Sequence, residues 1–257
     1  MNYTEEQLEE AKAYLKDRLR NQRSMSADVI RLLELYAGYL LTALSGNATD
    51  YDIQTLVNDL IEQLITDMEL LAVDEHDRRD AILAYIGRDI DGGNVRGRIR
   101  GRVDTFFDEV FTTYVAGKVL GHDYAEILSV VKENMKDPWK NPIIEEAREA
   151  SEGGGVTMPD GIDLSMRHYG QGVPVSSLDA LINITEHTVA VAWDFFRHIT
   201  ESYKGAKGYF RVRMSDYDCP LCDEWCGVFY PITDTEHMGP RHVHCVCATV
   251  FSYIDRL

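Results

Sequence analysis

Ile53-Gln54-Thr55-Leu56-Val57-Asn58-Asp59-Leu60-Ile61-Glu62-Gln63-Leu64-Ile65-Thr66-Asp67-Met68-Glu69-Leu70-Leu71 is the stretch on which the fold class turns. Its apolar residues Ile53, Leu56, Val57, Leu60, Ile61, Leu64, Ile65, Met68 and Leu71 recur at i, i+3, i+4 and i+7. That is the spacing of one buried stripe on an α-helix. Toward the C-terminus, Val103, Phe106, Phe107, Val110, Phe111, Tyr114 and Val115 repeat the pattern with aromatics. Toward the N-terminus, Ser26 to Leu44 is apolar on most sides and is expected to form a helix in the middle of a bundle. Leu8, Ala11, Tyr14, Leu15 and Leu19 make a first, more polar helix. Breaks are expected at Ser45-Gly46-Asn47, Asp91-Gly92-Gly93-Asn94 and Gly121-His122-Asp123, where left-handed stops and caps are available. Residues 1–137 therefore read as a helical domain.

The composition then changes. Pro138, Pro142, Pro159, Pro174 and the run Gly153-Gly154-Gly155 leave few periodic apolar positions, so 138–176 reads as a Gly/Pro-rich linker. Ser176-Ser177 offers an N-cap to a long helix whose inner face carries Leu178, Leu181, Ile182, Thr185, Val189, Trp193, Phe196 and Tyr203. Gly205 and Gly208 follow it, and Tyr209–Met214 and His244–Phe251 alternate like short strands. The expected fold is α+β and mainly α: an N-terminal helical bundle, a long helix, and a small C-terminal β element stapled by zinc within a domain spanning 177–257.

The chain has 257 residues, 45% of them hydrophobic and 27% charged, which suits a globular core rather than disorder. Asp and Glu number 43 against 26 Lys and Arg, a formal net charge of -17. Such a surface repels phosphate backbones and anionic lipids, which excludes a general DNA coat. Met1-Asn2-Tyr3-Thr4-Glu5-Glu6 has neither the basic nor the apolar region of a signal peptide. The most apolar stretch, Val29 to Leu44, is interrupted by Arg31 and Glu34, so no membrane span is expected. These features predict a soluble, cytoplasmic chain.

All five cysteines, Cys219, Cys222, Cys226, Cys245 and Cys247, fall in one 29-residue stretch. An odd, clustered set does not suit a disulfide scaffold and points to a metal. The spacing is Cys219-x2-Cys222, nineteen residues, then His242-x2-Cys245-x-Cys247. Two ligands separated by two residues reach one ion from a tight turn, and zinc takes four such donors on a tetrahedron. Cys219, Cys222, His242 and Cys245 form the preferred quartet, with Cys247 as the other choice for the fourth ligand. Cys226 is spare, a small buried hydrophobe.

With four or five protein donors, a closed structural site is expected rather than an open catalytic one. No His-Glu-x-x-His helix, deaminase pattern, phosphate-binding glycine loop or Gly-x-Ser-x-Gly elbow occurs. Glu186-His187 on the long helix reads as a polar face, so no enzyme activity is expected. One basic run stands out: Arg96, Arg98, Arg100 and Arg102 lie within seven residues beside Gly92-Gly93. Its arginines either contact a phosphate backbone or an acidic partner, or pair with Asp89, Asp91, Asp104 or Asp108.

The last third resembles the phage Mu F-like head-morphogenesis proteins, also called minor head proteins. The resemblance rests on Ile184-Thr185-Glu186, on Asp216 and Asp218 before Cys219-Pro220-Leu221-Cys222, on Gly227, and on the closing His242-Val243-His244-Cys245-Val246-Cys247. It covers about residues 176 to 252. Val243, His244 and Val246 depart from the family's proline, asparagine and arginine, Asn183 stands where an arginine often precedes the Thr-Glu pair, and Cys226 is additional. The resemblance implies a structural virion protein, made in the host cytoplasm and held inside the capsid near the portal. Its implied partners are portal and capsid proteins, with nucleic acid disfavoured and no membrane. Two other readings are a zinc-dependent nucleic-acid-binding or nucleic-acid-processing protein using Arg96–Arg102, and a packaged effector.

Overall fold

The computed structural model describes residues 3–72, 76–90, 93–135, 141–165, 176–242 and 244–254. Among them the order is α1 (Glu5–Ser45), α2 (Asp50–Leu70), α3 (His76–Ile86), β1 (Asp89–Ile90), β2 (Gly93–Asn94), α4 (Val95–Leu120), α5 (Tyr124–Asn134), α6 (Pro142–Glu152), α7 (Ser177–Tyr203), β3 (Gly208–Val212), α8 (Pro220–Asp223), β4 (Phe229–Pro231) and β5 (Ala248–Ser252). The fold is mainly helical, with a small antiparallel sheet near the C-terminus. No described helix is long and apolar enough to cross a membrane.

The chain divides into two compact units, and neither follows the expected boundaries at 137 and 176. One comprises Met1–Ser26, Thr66–Val95 and Asn183–Leu257; the other comprises Ala27–Ile65 and Arg96–Ile182. The first 26 residues thus belong with the cysteine-rich end. A boundary drawn from composition marks where the chain changes character, whereas units are defined by which side chains bury one another.

In the unit containing the cysteines, β3 is the central strand, ordered β4-β3-β5. Tyr209 faces Phe251, Phe210 faces Val250, and Val212 faces Ala248 in the β3–β5 register. The strand period of two therefore puts Phe210, Val212, Ala248 and Val250 on one face, and Tyr209, Arg211, Thr249 and Phe251 on the other. Ala248 and Val250 pack with Ala11 and Leu15 of α1. On the other face the His198 ring of α7 stands edge-on to Tyr209, 5.6 Å between centroids. All of β5 is buried, as a short strand covered on both sides must be.

The other unit is helical. Val57, Leu60, Ile61, Leu64 and Ile65 of the opening stripe are all buried, as their spacing predicts. Asn141 caps α6 through Ile144 N–H and also donates from Nδ2 to Thr113 Oγ1 at 2.8 Å. Asp123 and Glu126 form a reciprocal capping box at α5, just after Gly121 leaves α4 with φ of 90°.

Three expectations change. The first helix and the Ser26–Leu44 helix are one, α1, because no glycine, proline or cap interrupts the chain between them. Nor is its second half buried all round, since Leu35 and Tyr39 are 42% and 48% exposed. The expected linker contains α6, whose Ile143 and Ala147 are buried: Pro142 starts a helix there, its missing N–H being unneeded at the first turn. Pro138, Pro174, Asp91 and Gly92 lie outside the described residues.

Candidate metal centre

Two turns of opposite origin deliver the donors. After β3, Cys219 precedes the single turn α8, where the N–H groups of Cys222 and Asp223 both donate to the Cys219 carbonyl at 2.9 Å. Pro220 presets that turn, so Cys219 and Cys222 point the same way. Before β5, the Cys245 N–H donates to the His242 carbonyl at 3.2 Å, and His244 turns the chain at φ of 60°. This turn makes the strand start later than the alternation of His244–Phe251 suggests, because 244–247 serve the cluster and β5 begins only at Ala248.

The His242 Nε2 lies 3.2 Å from both Cys219 Sγ and Cys222 Sγ, and Cys222 Sγ lies 3.7 Å from Cys245 Sγ. Cys222, Cys245 and Cys247 also gather within 4.8 Å of one another, all three buried. Sulfurs bound to one tetrahedral ion at 2.3 Å stand about 3.8 Å apart, so the Cys222–Cys245 separation is that of ligands sharing an ion. The residues present fit a metal: they are soft donors and converge from two turns. Cys226 is not an isolated thiol, for its Sγ lies 3.8 Å from Cys247 Sγ.

The thiols differ in their surroundings. That of Cys245 is pushed down to about 4, first by the hydrogen bond with Cys247 and then by the Arg211 guanidinium. Cys247 is pushed up by that same hydrogen bond and by burial. Burial and the Cys245 charge push Cys222 up to about 12. The backbone N–H of Cys222 lowers Cys219.

Behind the donors lies a buried ionic network that sequence reading missed. Arg18 of α1 donates to Asp194 Oδ2 and to the Cys245 carbonyl, each at 2.6 Å. Arg211 stands 3.7 Å from the same Asp194 oxygen, donates to Thr249 Oγ1 at 2.7 Å, and lies 3.9 Å from Cys245 Sγ. The guanidinium of Arg18 thus ties the first helix to the turn that carries Cys245. A signal was present: Ala11, Leu15, Arg18, Gln22, Met25 and Val29 continue one buried stripe in steps of four and three, with two polar members.

The chain matches no family model, no curated protein and no solved structure.

Thr185 is fully buried on α7, and Glu186 accepts from the Ser26 hydroxyl while its Oε2 lies 3.5 Å from His244 Nδ1. The arginine run lies on α4. Arg96 pairs with Glu62 of α2, and Arg100 donates to Asn58 at 3.0 Å and stands 3.9 Å from Asp104. Arg98 is exposed and Arg102 half-buried, and each has an interaction of its own. The run therefore braces α4 against α2 and, through Arg100, pairs within α4.

Proposed function

We propose that the chain is a non-enzymatic structural protein of the minor head, or head-morphogenesis, kind, acting in capsid assembly at the portal. Zinc is the metal this reading places in the cluster. The supporting observation is that Cys219, Cys222 and His242 gather as one donor group and Cys222, Cys245 and Cys247 as another, sharing Cys222, within one unit that also holds Thr185-Glu186, the parts and order on which the resemblance rests. Four soft protein donors fill a tetrahedron and leave no position for a reacting water, which favours a structural role. Zinc bound there supplies folding free energy, ~10–16 kcal/mol in finger peptides, to a three-stranded sheet with a small core.

The test starts with genomic neighbours. Beside genes for portal, terminase and major capsid proteins, the chain should be found in purified heads, and its deletion should leave heads defective. A gene far from any head gene, with deletion leaving particle assembly intact, overturns the reading.

A further inference from the structure

Against the background of -17, one face of α1 is basic. Lys12, Lys16, Arg20 and Arg23 are exposed and follow one another at steps of four, four and three, which aligns them along one side of a helix. They rim a groove of about 550 Å³ whose floor is Leu15, Leu19 and Met214. Lys12 and Arg20 are paired within the helix, to Glu9 at 2.6 Å and Asp17 at 3.3 Å. Exposed pairs of this kind contribute only about 0.2–1 kcal/mol and exchange readily for other partners. Lys16 and Arg23 have no ion-pair partner among the described residues.

We infer that this groove docks an acidic amphipathic helix of a partner protein. From Lys12 to Arg23 the rim runs about 16 Å, the length of three helical turns, so a docked helix meets one cation per turn while its apolar side covers the floor. The charge decides the class of partner: a basic rim on a strongly acidic molecule attracts an acidic segment to this face and repels it elsewhere. A nucleic-acid strand would use the rim but leave Leu15, Leu19 and Met214 wet, and the net charge opposes it. A second copy offers α6 as an acidic helix, but its apolar residues Ile143 and Ala147 are already buried. This inference does not depend on the identity of the metal.

The probe is a fluorescein-labelled peptide of about 14 residues, with leucines at i, i+3, i+4 and i+7 between flanking glutamates. Anisotropy titration with the full-length protein should show saturable binding that weakens as salt is raised. Lys16→Glu with Arg23→Glu should lower the affinity about tenfold, because two attractions become repulsions. Both residues are exposed, and the neutral pair Lys16→Gln with Arg23→Gln should give an intermediate loss. Arg96→Glu with Arg100→Glu, on the other basic run, should leave peptide affinity unchanged. Equal binding to wild type and the Lys16/Arg23 variants overturns the inference, as does equal binding of a peptide with glutamine in place of glutamate. Tighter binding of a single-stranded oligonucleotide, lost in the same variants, assigns the face to nucleic acid. Self-association abolished by those variants assigns it to a second copy.

Discussion

Asp194 is 6% exposed and lies between two guanidiniums, Arg18 and Arg211, that are 1% and 2% exposed. Removing one member of such a network strands a charge away from water, which typically costs about 3–5 kcal/mol. Arg18→Met should therefore lower the stability of the unit by about that amount in urea denaturation. A loss below about 1 kcal/mol would mean that Arg211 alone satisfies Asp194. His198 offers a second test, this one in pH. Burial lowers its pKa in the fold, against smaller opposing effects of the Ile232 backbone and the Asp234 charge. The folded imidazole stays neutral where the unfolded one, with a pKa of about 6.5, takes up a proton. Stability present above pH 6.5 is thus lost as pH falls toward the folded value. Thermal melts at pH 7.5 and 5.5 should show a smaller acid loss for His198→Gln than for the wild type. Equal losses would assign the acid sensitivity to other groups.

In β3, Gly208 lies against β4 so closely that a Cβ would sit 2.3 Å from both Phe229 Cζ and the Tyr230 carbonyl oxygen. Gly208→Ala should separate β4 from β3 and destabilise the sheet by about 2 kcal/mol or more, read as a fall in melting temperature. The turn that carries Cys245 is coupled to α1 as well. Arg18 holds the Cys245 carbonyl, so loss of the metal should loosen α1 over residues 5–26 along with the sheet. Cys219→Ser or Cys222→Ser should abolish a metal content of about one zinc per chain and raise hydrogen exchange over 5–26 and 208–252. Full metal retention by both variants would sink the assignment. Protection of 5–26 unchanged after metal loss would show that the first helix holds independently.

For the molecule as a whole, the stretch from Gly153 to Ser165 is irregular and largely exposed, following the buried, capped α6. Limited proteolysis should cut first there, since its backbone lacks a regular hydrogen-bond ladder. A first cut within α2 or α7 would contradict the packing described. Charge makes a second expectation at this level. With -17 overall and Arg96 and Arg100 already engaged, duplex DNA should not bind at physiological salt. Sub-micromolar duplex affinity at that salt would favour a nucleic-acid function over an assembly role.

Local information was enough to read the stripe of α2, the stops at Asn47 and Gly121, the Ser176 cap of α7 and the meeting of Cys219 and Cys222 with His242. Each of these depends on periodicity, on left-handed or capping residues, or on donors spaced two apart, all properties of neighbouring residues. The continuity of α1 was missed, because the change from a polar to an apolar character at Ser26 reads as a change of helix although no glycine or proline lies between Leu19 and Ser26. What required the tertiary structure was partnership across long separations. Arg18 meets Asp194 and Cys245 across 176 and 227 residues, so its place in a buried stripe says that it is covered but not which charge covers it. For the same reason the first 26 residues join the cysteine-rich unit rather than Ala27–Ile65, which follows them directly. The basic groove also exists only because Met214 folds back against Leu15 and Leu19. Spacing along a chain sets which faces are apolar or charged; which faces meet is decided by the burial that the whole chain achieves together.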